Sequence, residues 1–183
     1  PAWTTTQLQE LTFTQIYALD ASQLKALTVA QVAKLETTDL VALTDTQIQA
    51  LTTAQVAAFT STQIQALTTT QIDALNTAQI KALTTTQVAS LETTDIKALD
   101  DTHIKALTSS QVQALTTTQI SVLDDTQIKA LTTAQVAALE TTDLVALTNT
   151  QLDALSTAQF AAFTSSQIQA LTRTQIQGVE ATQ

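Results

Sequence analysis

The stretch Leu43-Thr44-Asp45-Thr46-Gln47-Ile48-Gln49-Ala50 decides the fold, because the chain on both sides of it repeats the same eight residues with small changes. Written in groups of eight from residue 3 to residue 178, the sequence forms 22 octads without an insertion or a deletion. The consensus octad is Leu-Thr-Thr-Thr-Gln-Ile-x-Ala. The sequence therefore predicts that residues 1–183 form a single octapeptide-repeat solenoid.

Two positions of the octad carry the apolar side chains of the core. The first position is Leu except at Trp3, Phe59 and Phe163, and the sixth position is apolar in all 22 octads. We expect both columns to point inward, since these are the positions that stay apolar throughout. In the central octads the predicted core residues are Leu43, Ile48, Leu51, Val56, Phe59, Ile64, Leu67 and Ile72.

Neither one long helix nor a β-solenoid fits this spacing well. Apolar positions that alternate five and three residues apart would drift by about 80° per octad around one continuous helix. A β-solenoid is the main alternative, because Thr, Ile and Val favour strands. Tight β-coils, however, need Gly or Asn at turns with positive φ, and the chain has one Gly. The Leu and Ile columns also lie an odd number of residues apart, which breaks strand alternation.

The polar positions match the signals that begin a helix. Thr44 is suited to the N-cap, where its hydroxyl accepts from the N–H of Gln47 while the Gln47 side chain accepts from the N–H of Thr44. Leu43 and Ile48 flank this capping box as a hydrophobic staple. A helix start in every octad predicts a new helix every eight residues. Representative predicted capping residues are Thr44, Gln47, Thr52, Gln55, Thr68 and Gln71.

Helices this short must be stabilised by their neighbours. Five or six residues are well below the roughly 12 that an isolated helix needs in water. The sequence therefore predicts an all-α solenoid in which Leu and Ile face inward and Ala50-type positions allow close helix contact. Alanine recurs at Ala30, Ala54 and Ala78, every 24 residues, which predicts three helices per coil. At about 9 Å per coil this predicts a rod of about 70 Å.

Composition excludes several classes of protein. The chain is 44% hydrophobic, too apolar for a disordered polar tract. Its net charge is -9, and scattered cations make nucleic acid a poor partner. It lacks the roughly 18-residue apolar run of a membrane span. The absence of Cys fits either a reducing compartment or a secreted bacterial protein. The basic residues are Lys25, Lys34, Lys81, Lys97, Lys105, Lys129 and Arg173.

Residues that could bind metal or cofactor are better explained by capping. His103 is the one histidine, and with no Cys or Met in the chain it has no second soft ligand for haem or zinc. It occupies the Gln column, so we interpret it as a capping residue. Three octads carry acidic pairs that could in principle bind calcium, but acids in a first helical turn are favoured by the helix dipole alone. These pairs are Glu36 with Asp39, Glu92 with Asp95, and Glu140 with Asp143.

Other polar and apolar features have local explanations. Asp101 with Lys105, and Asp125 with Lys129, have the spacing of exposed helical ion pairs. The Thr triplets could form an ordered ice-binding surface, a minor hypothesis because their second and third positions vary. No nucleophile lies beside a base, so we expect neither an enzyme nor a cofactor. Unusually apolar residues near the N-terminus indicate contact with preceding sequence or another copy, or else a docking patch. They are Phe13, Tyr17, Val29 and Val41.

Octads such as Leu51-Thr52-Thr53-Ala54-Gln55-Val56-Ala57-Ala58 resemble the octapeptide tracts of very large bacterial secreted or surface proteins, which are adhesin-like and often named for haem utilisation or adhesion. The resemblance covers essentially the whole chain. It implies the repeat region of a giant exported polypeptide, located outside the cell or on its surface, but it carries no activity. We therefore expect a fragment that serves as a spacer or stalk. The alternative is a protein- or ligand-binding solenoid that uses variable exposed positions such as Asp45 and Gln49.

Overall fold

The computed structural model describes residues 3–182, and the side chains of residues 3–178. The described residues form 22 α-helices, one for each octad, and no β-strand. The all-α prediction is therefore confirmed, and the β-solenoid alternative is wrong. The helices are α1 (Thr5–Gln9), α2 (Phe13–Tyr17), α3 (Ala21–Lys25), α4 (Val29–Val32), α5 (Thr37–Ala42), α6 (Asp45–Ala50), α7 (Thr53–Ala57), α8 (Ser61–Ala66), α9 (Thr69–Asp73), α10 (Thr77–Ala82), α11 (Thr85–Ser90), α12 (Thr93–Ala98), α13 (Asp101–Ala106), α14 (Ser109–Ala114), α15 (Thr117–Ser121), α16 (Asp125–Ala130), α17 (Thr133–Ala138), α18 (Thr141–Ala146), α19 (Asn149–Asp153), α20 (Thr157–Ala161), α21 (Ser165–Ala170) and α22 (Arg173–Thr182).

A capping box opens most of the described helices, and α6 illustrates the geometry. The Oγ1 atom of Thr44 accepts from the N–H of Gln47 at 3.3 Å, and the N–H of Thr44 donates to Oε1 of Gln47 at 2.7 Å. Two of the N–H groups that a helix start leaves without an intrahelical partner are thereby satisfied. The same reciprocal pair opens helices in both halves of the chain, including α7, α9, α14 and α19.

The corners between helices use extended backbone and no special residues. After α6, Leu51 has φ −61° and ψ 141°, and Thr52, the N-cap of α7, has φ −72° and ψ 157°. The N–H of Leu51 donates to the carbonyl of Ile48 at 3.2 Å and closes the preceding helix. No residue in the described range 3–182 has a positive φ. Because these are ordinary angles for L-residues, the corners need no glycine.

Successive turns of the chain contain three helices. Helix α2 packs against α5, α5 against α8, and α18 against α21, so that each contact joins a helix to the third one along the chain. The prediction of three helices per coil is therefore confirmed. Neighbouring coils are built from the same octad, so each of these contacts brings the same kinds of side chain together.

The described contacts divide the chain into two units. Unit 1 is Pro1–Ala98 and contains α1–α12, while unit 2 is Leu99–Gln183 and contains α13–α22. Within unit 1 the packing of each helix on the third one along continues through α7 on α10, α8 on α11 and α9 on α12. Within unit 2 it runs from α13 on α16 to α19 on α22.

The core consists of the first and sixth octad columns. The sixth-column residues from Leu8 to Leu152 are at most 1% exposed, and the Leu column lies beside them inside each coil. Burial of Leu and Ile side chains stabilises such a structure by about 1.5–3 kcal/mol per side chain. At most 4% of the surface is exposed in each of the central predicted core residues, Leu43, Ile48, Leu51, Val56, Phe59, Ile64, Leu67 and Ile72.

Candidate functional site

The fifth octad position forms the most elaborate polar arrangement in the molecule. Gln79 is 1% exposed, and its Oε1 accepts from the N–H of Asn76 at 2.9 Å. Its Nε2 donates to the carbonyls of Ile48 and Leu51, each at 2.8 Å. One carboxamide therefore caps its own helix and also binds the backbone of the preceding coil.

The same bonds recur along both units. Gln55 donates to the carbonyls of Leu24 and Leu27, at 2.8 and 2.7 Å, which lie 31 and 28 residues earlier. In unit 2, Gln135 donates at the same intervals to Ile104 and Leu107, both at 2.7 Å. We refer to the residues that bond in this way as the glutamine ladder. They are Gln31, Gln47, Gln55, Gln63, Gln71, Gln79 and Gln87 in unit 1, and Gln127, Gln135, Gln151, Gln159, Gln167 and Gln175 in unit 2.

The ladder satisfies groups that would otherwise be costly to bury. Each ladder carboxamide is between 1% and 8% exposed, and a buried amide without partners would destabilise the fold by about 1–3 kcal/mol. Within the described part of the chain, no buried side-chain nitrogen or oxygen lacks a hydrogen-bond partner. The ladder thus connects coils through bonds of defined direction, in addition to apolar contact.

Sequence reasoning found only half of this role. It assigned Gln47, Gln55 and Gln71 to the capping box, where the structure places their Oε1 atoms together with Thr44, Thr52 and Thr68. It missed the donor half, the bonds from Nε2 to the preceding coil. The signal was present, because a capping box accepts Glu as readily as Gln, yet Glu never occupies this column. An ionised glutamate only accepts, whereas the carboxamide of glutamine accepts and donates at once.

Truncating the capping hydroxyl provides a direct test of the local half of the site. Thr52→Ala is expected to lower the free energy of unfolding by about 0.5–2 kcal/mol, because Thr52 Oγ1 accepts from the N–H of Gln55 at 3.2 Å. Urea denaturation followed by far-UV circular dichroism measures the change. Thr53→Ala is the matched control, since Thr53 is exposed and lies one position past the cap. Equal losses in the two variants would contradict the capping role.

Three octads place an aspartate in the buried column. Asp39, Asp95 and Asp143 are 7%, 3% and 3% exposed. Asp95 Oδ2 accepts from the N–H of Glu92 at 3.0 Å, and Asp143 Oδ1 accepts from the hydroxyl of Thr117 in α15 at 2.9 Å. A carboxylate has no N–H to donate to the preceding coil. Asp39 and Asp95 therefore keep the capping half of the glutamine role and cannot donate to the preceding coil, whereas Asp143 is bonded to the preceding coil through the Thr117 hydroxyl.

Burial also perturbs the acidity of these groups. Desolvation raises the pKa of Asp95, partly opposed by the hydrogen bond from the Glu92 N–H, and the nearby Glu92 charge raises it further. The pKa of Asp39 and that of Asp143 are raised mainly by burial as well, and the Thr117 hydroxyl opposes the shift at Asp143. Among the described residues, no three His, Cys, Asp or Glu side chains form a group that could hold a metal ion.

The raised pKa values predict a stability that increases on mild acidification. Between the unfolded and folded pKa of each aspartate, the folded state binds more protons, so its stability falls as pH rises through the folded pKa. The triple variant Asp39→Gln/Asp95→Gln/Asp143→Gln is expected to be more stable than the wild type at about pH 7, and to gain less stability as the pH falls to about 4, near the ordinary aspartate pKa. Urea midpoints at about pH 7 and about pH 4 measure both effects. Parallel pH responses of the two proteins would contradict the assignment.

His103 occupies the same column in α13. It is 6% exposed, and its Nδ1 accepts from the N–H of Asp100 at 3.2 Å, while Asp100 Oδ1 accepts from the N–H of His103 at 2.9 Å. The structure therefore places this ring in a capping box. The pKa of Asp100 is lowered, chiefly by the Thr102 hydroxyl that donates to it at 2.6 Å.

The remaining sequence-predicted features lie on the surface or at chain ends. Lys105 Nζ contacts Asp101 Oδ2 at 2.9 Å, and both side chains are about half exposed. An exposed helical pair of this kind stabilises the fold by about 0.3–0.5 kcal/mol.

Tyr17 in α2 and Val41 in α5 are both exposed, on two helices that pack together. Phe13 and Val29 are exposed as well. Phe59 is buried, whereas Phe160 and Phe163 are half-buried with ring centroids 4.9 Å apart.

The fold and the ladder define a class of protein: an α-solenoid built from tandem capped octads. The ALTTAQ repeat family matches residues 32–69, 65–93, 88–124, 113–141 and 136–173, which together span more than half of the sequence. The chain belongs to the ALTTAQ repeat family. No curated protein matched it. Among the described residues, no helix combines the length and apolar character needed to cross a bilayer.

Proposed function

We propose that the chain is a non-enzymatic structural repeat region that acts as an elongated spacer or stalk in a large exported bacterial polypeptide. The observation that carries the proposal is the uniformity of the contacts between coils. Gln55 and Gln135 make the same pair of bonds in different units, and the sixth column is at most 1% exposed from Leu8 to Leu152. Contacts of this kind add length by repetition.

The exposed positions support a spacing role over a catalytic one. Asp45 and Gln49 are exposed, and the residues in the Gln49 column change between amide, charged and apolar side chains from octad to octad. The N-cap hydroxyls of α7, α9 and α14 already accept from backbone N–H groups of their own helices. The location outside the cell rests on the resemblance to octapeptide tracts of large bacterial surface proteins.

Small-angle X-ray scattering tests the spacer proposal. A compact domain of this length has a radius of gyration of about 16 Å. We expect a clearly larger value and a pair-distance distribution with the extended tail of an elongated particle. A radius of gyration at the compact value would contradict the proposal.

A deletion series makes the test sharper. Removing residues 51–74 deletes three octads, one complete coil, and leaves the flanking octads in register. The maximum dimension is then expected to fall by about 9 Å, the spacing of packed helices, with the circular dichroism per residue unchanged. The matched control removes residues 125–148 from unit 2 and should shorten the particle equally. A deletion that unfolds the chain or leaves its maximum dimension unchanged would count against the spacer.

A further inference from the structure

Two helix contacts of unit 1 lack the bonds of the glutamine ladder. Elsewhere in unit 1, the first turn of a helix donates to the corner before its packing partner, as Gln63 of α8 donates to the carbonyls of Val32 and Leu35. Asp39 of α5 and Asp95 of α12 occupy the same octad column without an N–H to donate. The packing of α5 on α2 and of α12 on α9 therefore proceeds through apolar side chains without these bonds.

The carbonyls that a glutamine would use at these contacts have no side-chain donor. The ladder intervals of 28 and 31 residues identify them. They are the carbonyls of Leu11 and Leu8 for Asp39, and of Leu67 and Ile64 for Asp95. Among the described residues, no side chain donates to any of the four. Each contact is therefore short of two hydrogen bonds that a glutamine in the same column would make.

Unit 2 treats its own buried aspartate differently. Asp143 Oδ1 accepts from the hydroxyl of Thr117, which lies 26 residues earlier in α15, at 2.9 Å. The residue 26 positions before Asp39 is Phe13, which has no hydroxyl. At the corresponding position of α9, Thr69 makes no such bond. In the described part of unit 1, the contacts of α2 with α5 and of α9 with α12 thus receive no bond from the buried octad column, and we call them the ladder-free contacts.

We propose that the ladder-free contacts are the points at which unit 1 opens first. In an array where each helix packs on the third one along, separation begins at the contacts that contribute least to stability. The absence of two hydrogen bonds between neutral groups favours opening by about tenfold over a ladder contact. On their other sides α5 and α9 pack on α8 and α6 through ladder bonds of Gln63 and Gln71, so the difference lies in the residues of the contact.

Such contacts would act as yield points in a stalk. A stalk under tension would extend at the ladder-free contacts while the ladder holds the other coils together. This meaning rests on the proposed spacer role, whereas the order of opening is a property of the chain itself.

Two variants convert one kind of contact into the other. Asp39→Gln/Asp95→Gln supplies the missing carboxamides, in the residue type that neighbouring octads carry in this column. Gln55→Asp does the reverse at the contact of α7 on α4, because it removes both bonds that Gln55 donates to the preceding coil. Val29 lies 26 residues before Gln55, so no hydroxyl there can replace them.

Native-state hydrogen exchange of the full chain at low urea, read by mass spectrometry, tests the proposal. The helices compared are α5 and α9, which each have one ladder-free contact, and α6 and α7, which pack on both sides through ladder contacts. After correction for intrinsic rates, α5 and α9 of the wild type are expected to exchange about tenfold faster than α6 and α7. The double variant should remove this difference, and Gln55→Asp should speed exchange of α7 by a similar factor.

Far-UV circular dichroism without urea checks that each variant is folded. Equal protection of the two pairs of helices in the wild type, or a double variant that retains the difference, would overturn the proposal. A Gln55→Asp variant that loses protection evenly along the chain would also contradict it. Because exchange measures the opening of helices and scattering measures the length of the particle, failure of this inference is distinguishable from failure of the spacer proposal.

Discussion

A chain carrying Gln79→Glu is expected to lose about 3–5 kcal/mol of unfolding free energy at neutral pH, the effect of an uncompensated buried charge. Glutamate keeps the oxygen that accepts from the N–H of Asn76, so the cap of α10 survives. It removes the Nε2 donor and directs a carboxylate at the carbonyls of Ile48 and Leu51, which the carboxamide meets at 2.8 Å. Urea denaturation followed by circular dichroism measures the loss.

The matched control for this substitution is Gln7→Glu. Gln7 makes the same capping bond, to the N–H of Thr4 at 2.9 Å, but it is exposed and bonds to no preceding coil. Its replacement should change the unfolding free energy by less than about 0.5 kcal/mol, as is usual for a surface substitution. Acidification to about pH 4 should reduce the loss at position 79, since a protonated carboxyl regains a donor. Equal losses of unfolding free energy at the two positions would show that the hydrogen bonds of Gln79 to the preceding coil do not stabilise the fold.

Ile64→Ala is expected to lower the unfolding free energy by about 2–5 kcal/mol. The Ile64 side chain is fully buried, between α8 and the coil that follows it, and its truncation leaves a cavity that the short helices can close only partly. Hydrogen exchange adds a local readout. Because contacts join each helix to the third one along, protection should fall most in α5, α8 and α11.

Ile176→Ala is the control for the core truncation. Ile176 occupies the same octad column but is 41% exposed, since no described coil follows α22. The expected loss is below about 1.5 kcal/mol, because the isoleucine is only partly removed from water in the native state. If the two truncations lowered the unfolding free energy equally, burial by the following coil would not explain how Ile64 stabilises the fold.

The repeated helices and their coil could be predicted from the sequence because the information is local and redundant. The Thr44–Gln47 pair predicts a helix start by itself, and the 24-residue recurrence of Ala30, Ala54 and Ala78 predicts three helices per coil. Because every octad repeats the same helix-start signal, no long-range contact is needed to decide where each helix begins. The structure reproduces both features.

The inter-coil half of the site could not be placed in the same way. A glutamine in a capping box is already explained by its oxygen, and the exclusion of Glu from the column indicates a donor role without locating its acceptors 28 and 31 residues earlier. The direction in which a coil faces its neighbour depends on the angle of each corner, which the octad alone does not specify. The burial of Asp95 was missed for the same reason. An acidic residue in a first helical turn is ordinarily exposed, and only stacking of a neighbouring coil removes it from water.

The corner backbone has a consequence for how such a protein can change. Leu51 and Thr52 turn the chain with ordinary extended angles, and no described residue depends on a positive φ. A gain or loss of one octad during gene duplication would shift each helix onto a different partner, yet that partner would carry nearly the same side chains. The molecule would tolerate such events without a new turn or a redesigned interface. Its length is therefore a property that recombination can adjust in steps of eight residues.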